Sequence, residues 1–384
     1  MTAGGDADIR GFVKSGFEPV RDAFQAVVRN RPGFGAALCV YLRSEPCVDV
    51  WGGPTYAHDS LQLVFSATKG AVAVCANMLS QRGVLDLDAT VASVWPEFAS
   101  GGKEAVRVRW LLSHQAGLPT VGRKLTLQDL IEGQVVIDAL ACQVPYWTPG
   151  AAHGYHALTI GYLVGEVIRR ATGKTLGQFF ADEVAGPLGL DFWIGLPVEL
   201  EGRVVPVRMN GRSMTNRGSA AAALTDVTSL PSRVTSNPTL NPLDWNLPAV
   251  HRTEIPAANG ICSARSLARM YAACIGPVDG VRLLSDETLS RACTVQAEGV
   301  DLVNREENRF GLGFYLPFAR IPFAGPSSFG HDGLGGALGF ADRETGIAFG
   351  FVTDLVPELA GVDPATRELI AAARQCISGT ALAT

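Results

Sequence analysis

The chain has 384 residues, 47% hydrophobic and only 18% charged, with a formal net charge of −5. A chain this long and apolar buries a large core, which excludes a disordered tail, and the lack of basic excess excludes nucleic acid as a partner. Its 32 basic residues comprise five lysines (Lys14, Lys69, Lys103, Lys124, Lys174) and 27 arginines, so each lysine raises the question why arginine would not serve.

Residues Met1–Arg10 carry Asp6 and Asp8 and no apolar h-region, so no secretory leader and a cytoplasmic location are expected. Phe17, Val20, Phe24, Val27 and Val28 fall on one helical face. Strand-like runs follow at Ala36–Leu42 and Val48–Trp51, with a turn at Arg43–Pro46. Leu61–Phe65 reads as a strand running into a helix with Val72, Cys75, Met78 and Leu79 on one face. The longest uncharged stretch, Ala139 to Gly165, contains Pro145, Pro149, His153 and His156, so no membrane span is expected. Further helical stripes are Ile160–Leu163–Val164–Val167–Ile168, Leu176–Phe179–Phe180–Val184 stopped by Gly186-Pro187, and Leu267–Met270–Tyr271–Cys274. Residues 199–260 are rich in Pro, Asn, Ser and Gly and predict a wall or lid. Phe310–Leu316, Ala337–Ala341 and Ile347–Thr353 read as strands, and a last helix has Asp363 as N-cap and Pro364 at its first position. The eight cysteines form no C-x-x-C pair and are expected to be reduced, buried thiols. Strands at both ends and helices between them predict one antiparallel sheet built from both termini, with the helical middle inserted.

Several chemistries lack a signature. No serine sits in G-x-S-x-G, Ile168 takes the place of the first glycine that a P-loop ending in Gly173-Lys174-Thr175 would need, and the six histidines have no metal spacing. No metal or cofactor is expected. S-x-x-K occurs twice, as Ser66–Lys69 and Ser100–Lys103. The chemistry needs both side chains one helical turn apart in a cleft. Ser100-Gly101-Gly102-Lys103 is a glycine turn and reads as a solvated loop. Ser66 sits at a helix N-terminus, where free N–H groups favour an anion, and a desolvated lysine can act as a base where arginine cannot. A plain N-cap serine with a surface lysine is the bland alternative.

Val64-Phe65-Ser66-Ala67-Thr68-Lys69-Gly70 resembles the active-site helix of the serine β-lactamase and penicillin-binding-protein superfamily, closest to family VIII carboxylesterases with the class C β-lactamase fold. Leu111–Pro119, Pro149-Gly150 with Tyr155-His156-Ala157, Pro187–Leu190, Ile255–Gly260 and Gly330–Gly333 extend the resemblance over most of the chain. It implies a β-lactamase-like α/β (α+β) fold. Residues 1–80 and part of 165–384 would form a discontinuous α/β domain with a central antiparallel sheet. Residues from about 81 to 164, with part of 200–260, would form a helical and loop domain, and the active site would lie in the cleft between the two. It also implies roles: Ser66 as acylated nucleophile, Lys69 as a group that helps take its proton, and Tyr155 as the second member of that base pair and the proton donor to the leaving group. The backbone N–H groups of Ser66 and of Leu334, on an edge strand after His331-Asp332-Gly333, would form the oxyanion hole. Gly333, Gly335 and Gly336 would let substrate lie against that strand.

Two departures matter. Ala157 stands where penicillin-binding relatives carry a substrate-reading Asn, and His331-Asp332-Gly333 replaces their K-T-G. Asp332 is expected to repel an anionic substrate. Both argue against a D,D-peptidase or an efficient β-lactamase. His331 would polarise the tyrosine or contact substrate, and Trp147 and Trp245 would line an apolar acyl pocket. His114 and Asp59 read as helix-entry packing. The expected protein is a serine carboxylesterase acting on small esters. The alternative is an acyltransferase that resolves the acyl-enzyme with an alcohol or amine.

Overall fold

The computed structural model describes residues 8–209, 229–356 and 364–380. From the N-terminal side come β1 (Ile9–Val13), α1 (Glu18–Arg29), β2 (Ala36–Leu42), β3 (Glu45–Gly52), β4 (Leu61–Leu63) and α2 (Thr68–Gln81). The helical middle holds α3 (Val108–Leu112), α4 (Leu127–Glu132), α5 (Gln134–Cys142), α6 (Thr159–Thr172) and α7 (Leu176–Phe180). Short strands β5 (Phe192–Trp193), β6 (Val204–Val205), β7 (Arg208–Met209) and β8 (Ile261–Cys262) follow. The last strands are β9 (Ala297–Val300), β10 (Glu307–Phe310), β11 (Ser328–Asp332), β12 (Leu338–Asp342), β13 (Ile347–Thr353) and β14 (Leu355–Val356).

The main sheet has six strands in the order β1-β3-β2-β13-β12-β11, all antiparallel. The two chain ends therefore meet at β2–β13, where Leu38 faces Phe351 and Val40 faces Phe349. Leu38, Val40, Val48, Phe340 and Phe349 pack with Phe24 of α1 and Leu369 of the C-terminal helix Pro364–Thr380. Against the opposite face lie α2 and the helix Ala264–Ile275, beside Cys39, Tyr41, Ala341 and Val352. Each layer thus buries one face of the sheet, which is the physical reason for sandwiching it.

Several elements differ from their sequence reading. β1 has no counterpart in it, because the strand's residues are mostly exposed and carry no alternation. In α2 every residue from Thr68 to Leu79 is buried, so it is a central helix without a solvent face. Phe310–Leu316 is no strand: β10 ends at Phe310, and Gly311 donates to Phe314 O in a turn. The helical run from Leu176 passes through Gly186-Pro187 and stops at Gly189, whose φ is 59°. Described parts of 199–260 form short helices, at Val198–Arg203, Leu230–Thr235, Pro242–Asn246 and Pro248–Arg252. Residues 210–228 and Asp363 lie outside the described residues, and Pro364 opens the last helix. All eight cysteines are free; Cys142 is exposed and Cys293 half-buried, contrary to uniform burial. Among the described residues, no helix is long and apolar enough to cross a membrane.

Candidate active site

Ser66 occupies a 3-10 turn, Phe65–Ala67, between β4 and α2. Among residues 61–79 it alone is not buried, so the fold presents one hydroxyl at the surface of an otherwise closed element. The turn is held tightly. Val64 N–H donates to Gly260 O at 2.9 Å, and Gly260 N–H donates to Thr68 Oγ1 at 2.8 Å. Phe65 takes φ 47°, a left-handed conformation that costs a bulky residue energy and that the surrounding bonds must impose.

Lys69 follows one turn later and is 1% exposed. Its Nζ lies 3.0 Å from Ser66 Oγ and 2.8 Å from each of the carbonyl oxygens of Ala157 and Ala257. Asn259 fixes the second carbonyl by bridging Ile255 N–H and the oxygens of Val250 and Thr253. Burial brings the Lys69 ammonium down to about 7, although the Asp332 carboxylate acts to raise it. The two carbonyls accept N–H bonds from either form, but only the neutral amine has a lone pair that can take the Ser66 proton, and burial is what makes that form accessible.

Tyr155 enters from the segment before α6. Its hydroxyl faces Ser66, and its ring lies with the centroid 4.9 Å from Lys69 Nζ. Burial raises the phenol well above its ordinary value, with the Ser66 hydroxyl opposing. Burial thus lowers the lysine and raises the tyrosine, so Lys69 is the member of the pair that gives up its proton first.

Leu334 belongs to the turn between β11 and β12 and not to an edge strand, so that expectation is corrected; β11 itself runs through His331 and Asp332. Gly333 packs against the Ser66 turn so closely that a Cβ there would sit 2.1 Å from Val64 O. Only glycine permits this approach. The turn returns through Gly335 and Gly336, at φ 97° and 93°. The Ser66 and Leu334 amides have no protein acceptor among the described residues, and both flank this contact.

Asp332 does not present a free charge. It pairs with Arg320 at 2.8 Å, and Arg320 also approaches Glu306 at 3.6 Å. Burial alone would lift the Asp332 carboxyl, but the guanidinium, with His331 and hydrogen bonds, holds it below its ordinary value. The expected repulsion of anions is thus largely cancelled by an arginine that no motif identified. His331 is buried, with its ring centroid 6.1 Å from that of Tyr155. Its Nδ1 meets Asp332 O at 2.7 Å, and its buried Nε2 has no partner among the described residues. Burial brings it to about 3, so the ring is neutral.

The remaining candidates separate. Trp245 packs edge-on against Phe65 at 5.5 Å and belongs to the wall beside Ser66. Trp147 donates Nε1–H to Ala152 O and meets the His156 ring, which puts it behind the Tyr155 segment. Asp59 is exposed and approaches Arg203 at 3.8 Å, so it is not packing. Lys103 is fully buried, contrary to a solvated loop, and donates to the oxygens of Ser100, Ala141 and Gln143. It ties its own turn to the C-terminal end of α5. His114, read as packing, instead grips the Tyr155 segment. Its recurrence in a recognised stretch was the only sequence signal for it.

The beta-lactamase family model matches residues 20–374. The chain is 37% identical over 354 residues to the esterase/beta-lactamase LipL of Mycobacterium tuberculosis, covering 88% of this chain and 80% of LipL. The structure of EstA from Arthrobacter nitroguajacolicus Rue61a superposes with a TM-score of 0.89 at 35% identity, covering 96% of this chain and 98% of EstA. A crystal structure of a family VIII carboxylesterase gives a TM-score of 0.87 at 34% identity, covering 96% of this chain and all (100%) of that one. Matched along nearly its whole length by model, sequence and fold, the chain belongs to the beta-lactamase family.

Proposed function

We propose that the protein is a serine carboxylesterase working through an acyl-enzyme on Ser66. The observation that carries this is the single accessible hydroxyl of the 61–79 segment, 3.0 Å from a buried lysine whose ammonium is brought to about 7. Neutral Lys69 takes the Ser66 proton as Oγ attacks the ester carbonyl. The oxyanion accepts from the Ser66 and Leu334 amides. The C–O bond to the alcohol breaks, Tyr155 gives its proton to the departing oxygen, and Lys69 returns a proton to the phenoxide. Water then attacks the acyl-enzyme with the same groups in reverse.

Substrate charge follows from the same residues. Lys69 is buried and held by the carbonyls of Ala157 and Ala257, and Arg320 is committed to Asp332 and Glu306, so neither is a free cation for a substrate carboxylate. Neutral esters are the favoured class. Ala157 offers Lys69 its carbonyl but no side-chain amide to read an acylamino group. The likeness to the esterase/beta-lactamase LipL and to a family VIII carboxylesterase supports an esterase reading.

The test is p-nitrophenyl butyrate hydrolysis with mass spectrometry of the quenched enzyme. A butyryl group is expected on the Ser66 peptide, with Ser66→Ala reduced to background. Equal rates for the two proteins would sink the reading. Adding alcohols or amines reports the acyl acceptor, and preferential transfer over hydrolysis would make the protein an acyltransferase. A chromogenic cephalosporin in parallel measures β-lactam turnover.

A further inference from the structure

The two residues flanking Tyr155 are both bonded to one residue far away in sequence. His114 O accepts from Gly154 N–H at 3.1 Å, and His114 Nδ1 accepts from His156 N–H at 3.0 Å. The His114 ring lies 5.0 Å from the Tyr155 ring, centroid to centroid, and 4.4 Å from Phe310. His114 is 2% exposed and holds φ 61°, a left-handed conformation that is costly for a ring-bearing side chain. That conformation aims its carbonyl and its ring nitrogen at the same strip of backbone. The strip is tied on its far side as well: Leu302 N–H donates to His153 O at 3.0 Å, and His153 Nε2 meets Asn308 Oδ1 at 2.8 Å.

We propose that His114 is a positioning residue for Tyr155, locking the phenol's place beside Ser66 through bonds to Gly154 and His156. The inference rests on the role given to Tyr155 above. Both clamp bonds need an acceptor at His114. Nδ1 accepts only in the neutral ring, and burial keeps His114 well below its ordinary value. His156 is matched to the same state: its Nε2 accepts from Leu118 N–H at 3.0 Å, and its Nδ1 faces Gly154 O at 2.6 Å. Misplacing a reacting group by about 1 Å can cost on the order of a hundredfold in rate. The clamp therefore acts on kcat more than on substrate binding.

His114→Ala removes the ring acceptor. We expect kcat for ethyl butyrate per active site, counted with a fluorophosphonate, to fall roughly 10- to 100-fold while KM changes by less than about threefold. His114→Asn places Oδ1 where Nδ1 stood and tolerates positive φ, so it restores most of the rate; His114→Gln puts its acceptor one bond further out and does not. Because the effect runs through Tyr155, His114→Ala in a Tyr155→Phe background costs no more than about twofold further. If His114→Ala does not fold, the Asn and Gln variants carry the same comparison. Equal loss in the Asn and Gln variants, or full multiplicative loss in the Tyr155→Phe background, would overturn the inference. Should Tyr155→Phe keep wild-type kcat, the role of Tyr155 fails and this proposal with it. Should Tyr155→Phe be crippled while His114→Ala is unimpaired per site, only the clamp fails.

Discussion

Lys69 Nζ sits 3.0 Å from Ser66 Oγ while the carbonyls of Ala157 and Ala257 take its other two contacts. Burial favours the amine, and activity requires that form. With the ammonium brought to about 7 by burial, kcat/KM is expected to rise with pH through about 7 and then level. Lys69→Arg cannot lose its proton and should lower kcat by roughly a thousandfold or more. A pH–rate profile from pH 5 to 9 checks both, and a flat profile would count against Lys69 as base.

The same lysine carries a stability signature. Its folded value of about 7 lies below the ordinary 10.5, so between these limits the unfolded chain holds more protons than the native one. Stability contributed by this site therefore rises with pH across that window and is flat below it. Lys69→Met lacks the effect. The difference in Tm, variant minus wild type, should be most positive near pH 6 and shrink towards pH 9.5. A difference independent of pH would show that Lys69 titrates at its ordinary value.

Tyr155 remains a protonated phenol, which suits a donor to the leaving group. Tyr155→Phe should then lower kcat for ethyl butyrate by about 10²- to 10⁴-fold. The loss should be much smaller for p-nitrophenyl butyrate, whose anion departs without a proton. Equal losses for both esters would assign Tyr155 to the deprotonation of Ser66 instead.

Gly333→Ala tests the oxyanion turn. Its Cβ would meet Val64 O at 2.1 Å, so the Leu334 amide must move away from Ser66. Losing one such donor is typically worth about 10²- to 10³-fold in kcat. Steady-state kinetics beside circular dichroism separates this from misfolding. A folded Gly333→Ala with wild-type kcat would remove Leu334 from the hole.

Lys103 makes the opposite prediction. Its three carbonyl partners are structural: Lys103→Met takes the ammonium donor from Ser100 O and Gln143 O, while Ala141 O keeps the Ser100 hydroxyl. Urea unfolding should show a loss on the order of 2 kcal/mol with kcat per folded molecule unchanged. A lost activity at full stability would contradict the assignment.

The local features were legible in sequence. The strand, turn and helix around Ser66 and the helix periodicities depend on neighbours a few residues apart, and the meeting of both chain ends in one sheet followed from strands too few at either end to form a sheet alone. The scarcity of lysine singled out Lys69 as a side chain that can lose its proton where arginine cannot. Tertiary structure alone decided what each lysine does. Lys69 and Lys103 share the same S-x-x-K spacing and both are buried, but Lys69 is hydrogen-bonded to its serine's hydroxyl, whereas Lys103 takes the Ser100 carbonyl and the Ser100 hydroxyl turns to Ala141 O. The carbonyl partners of Lys69 come from 88 and 188 residues away. Likewise, Arg320 neutralises Asp332, and His114 reaches across 42 residues to His156. Spacing along a helix is fixed by backbone geometry, whereas desolvation and hydrogen-bond partners are set by whichever distant segments the fold brings to the same point.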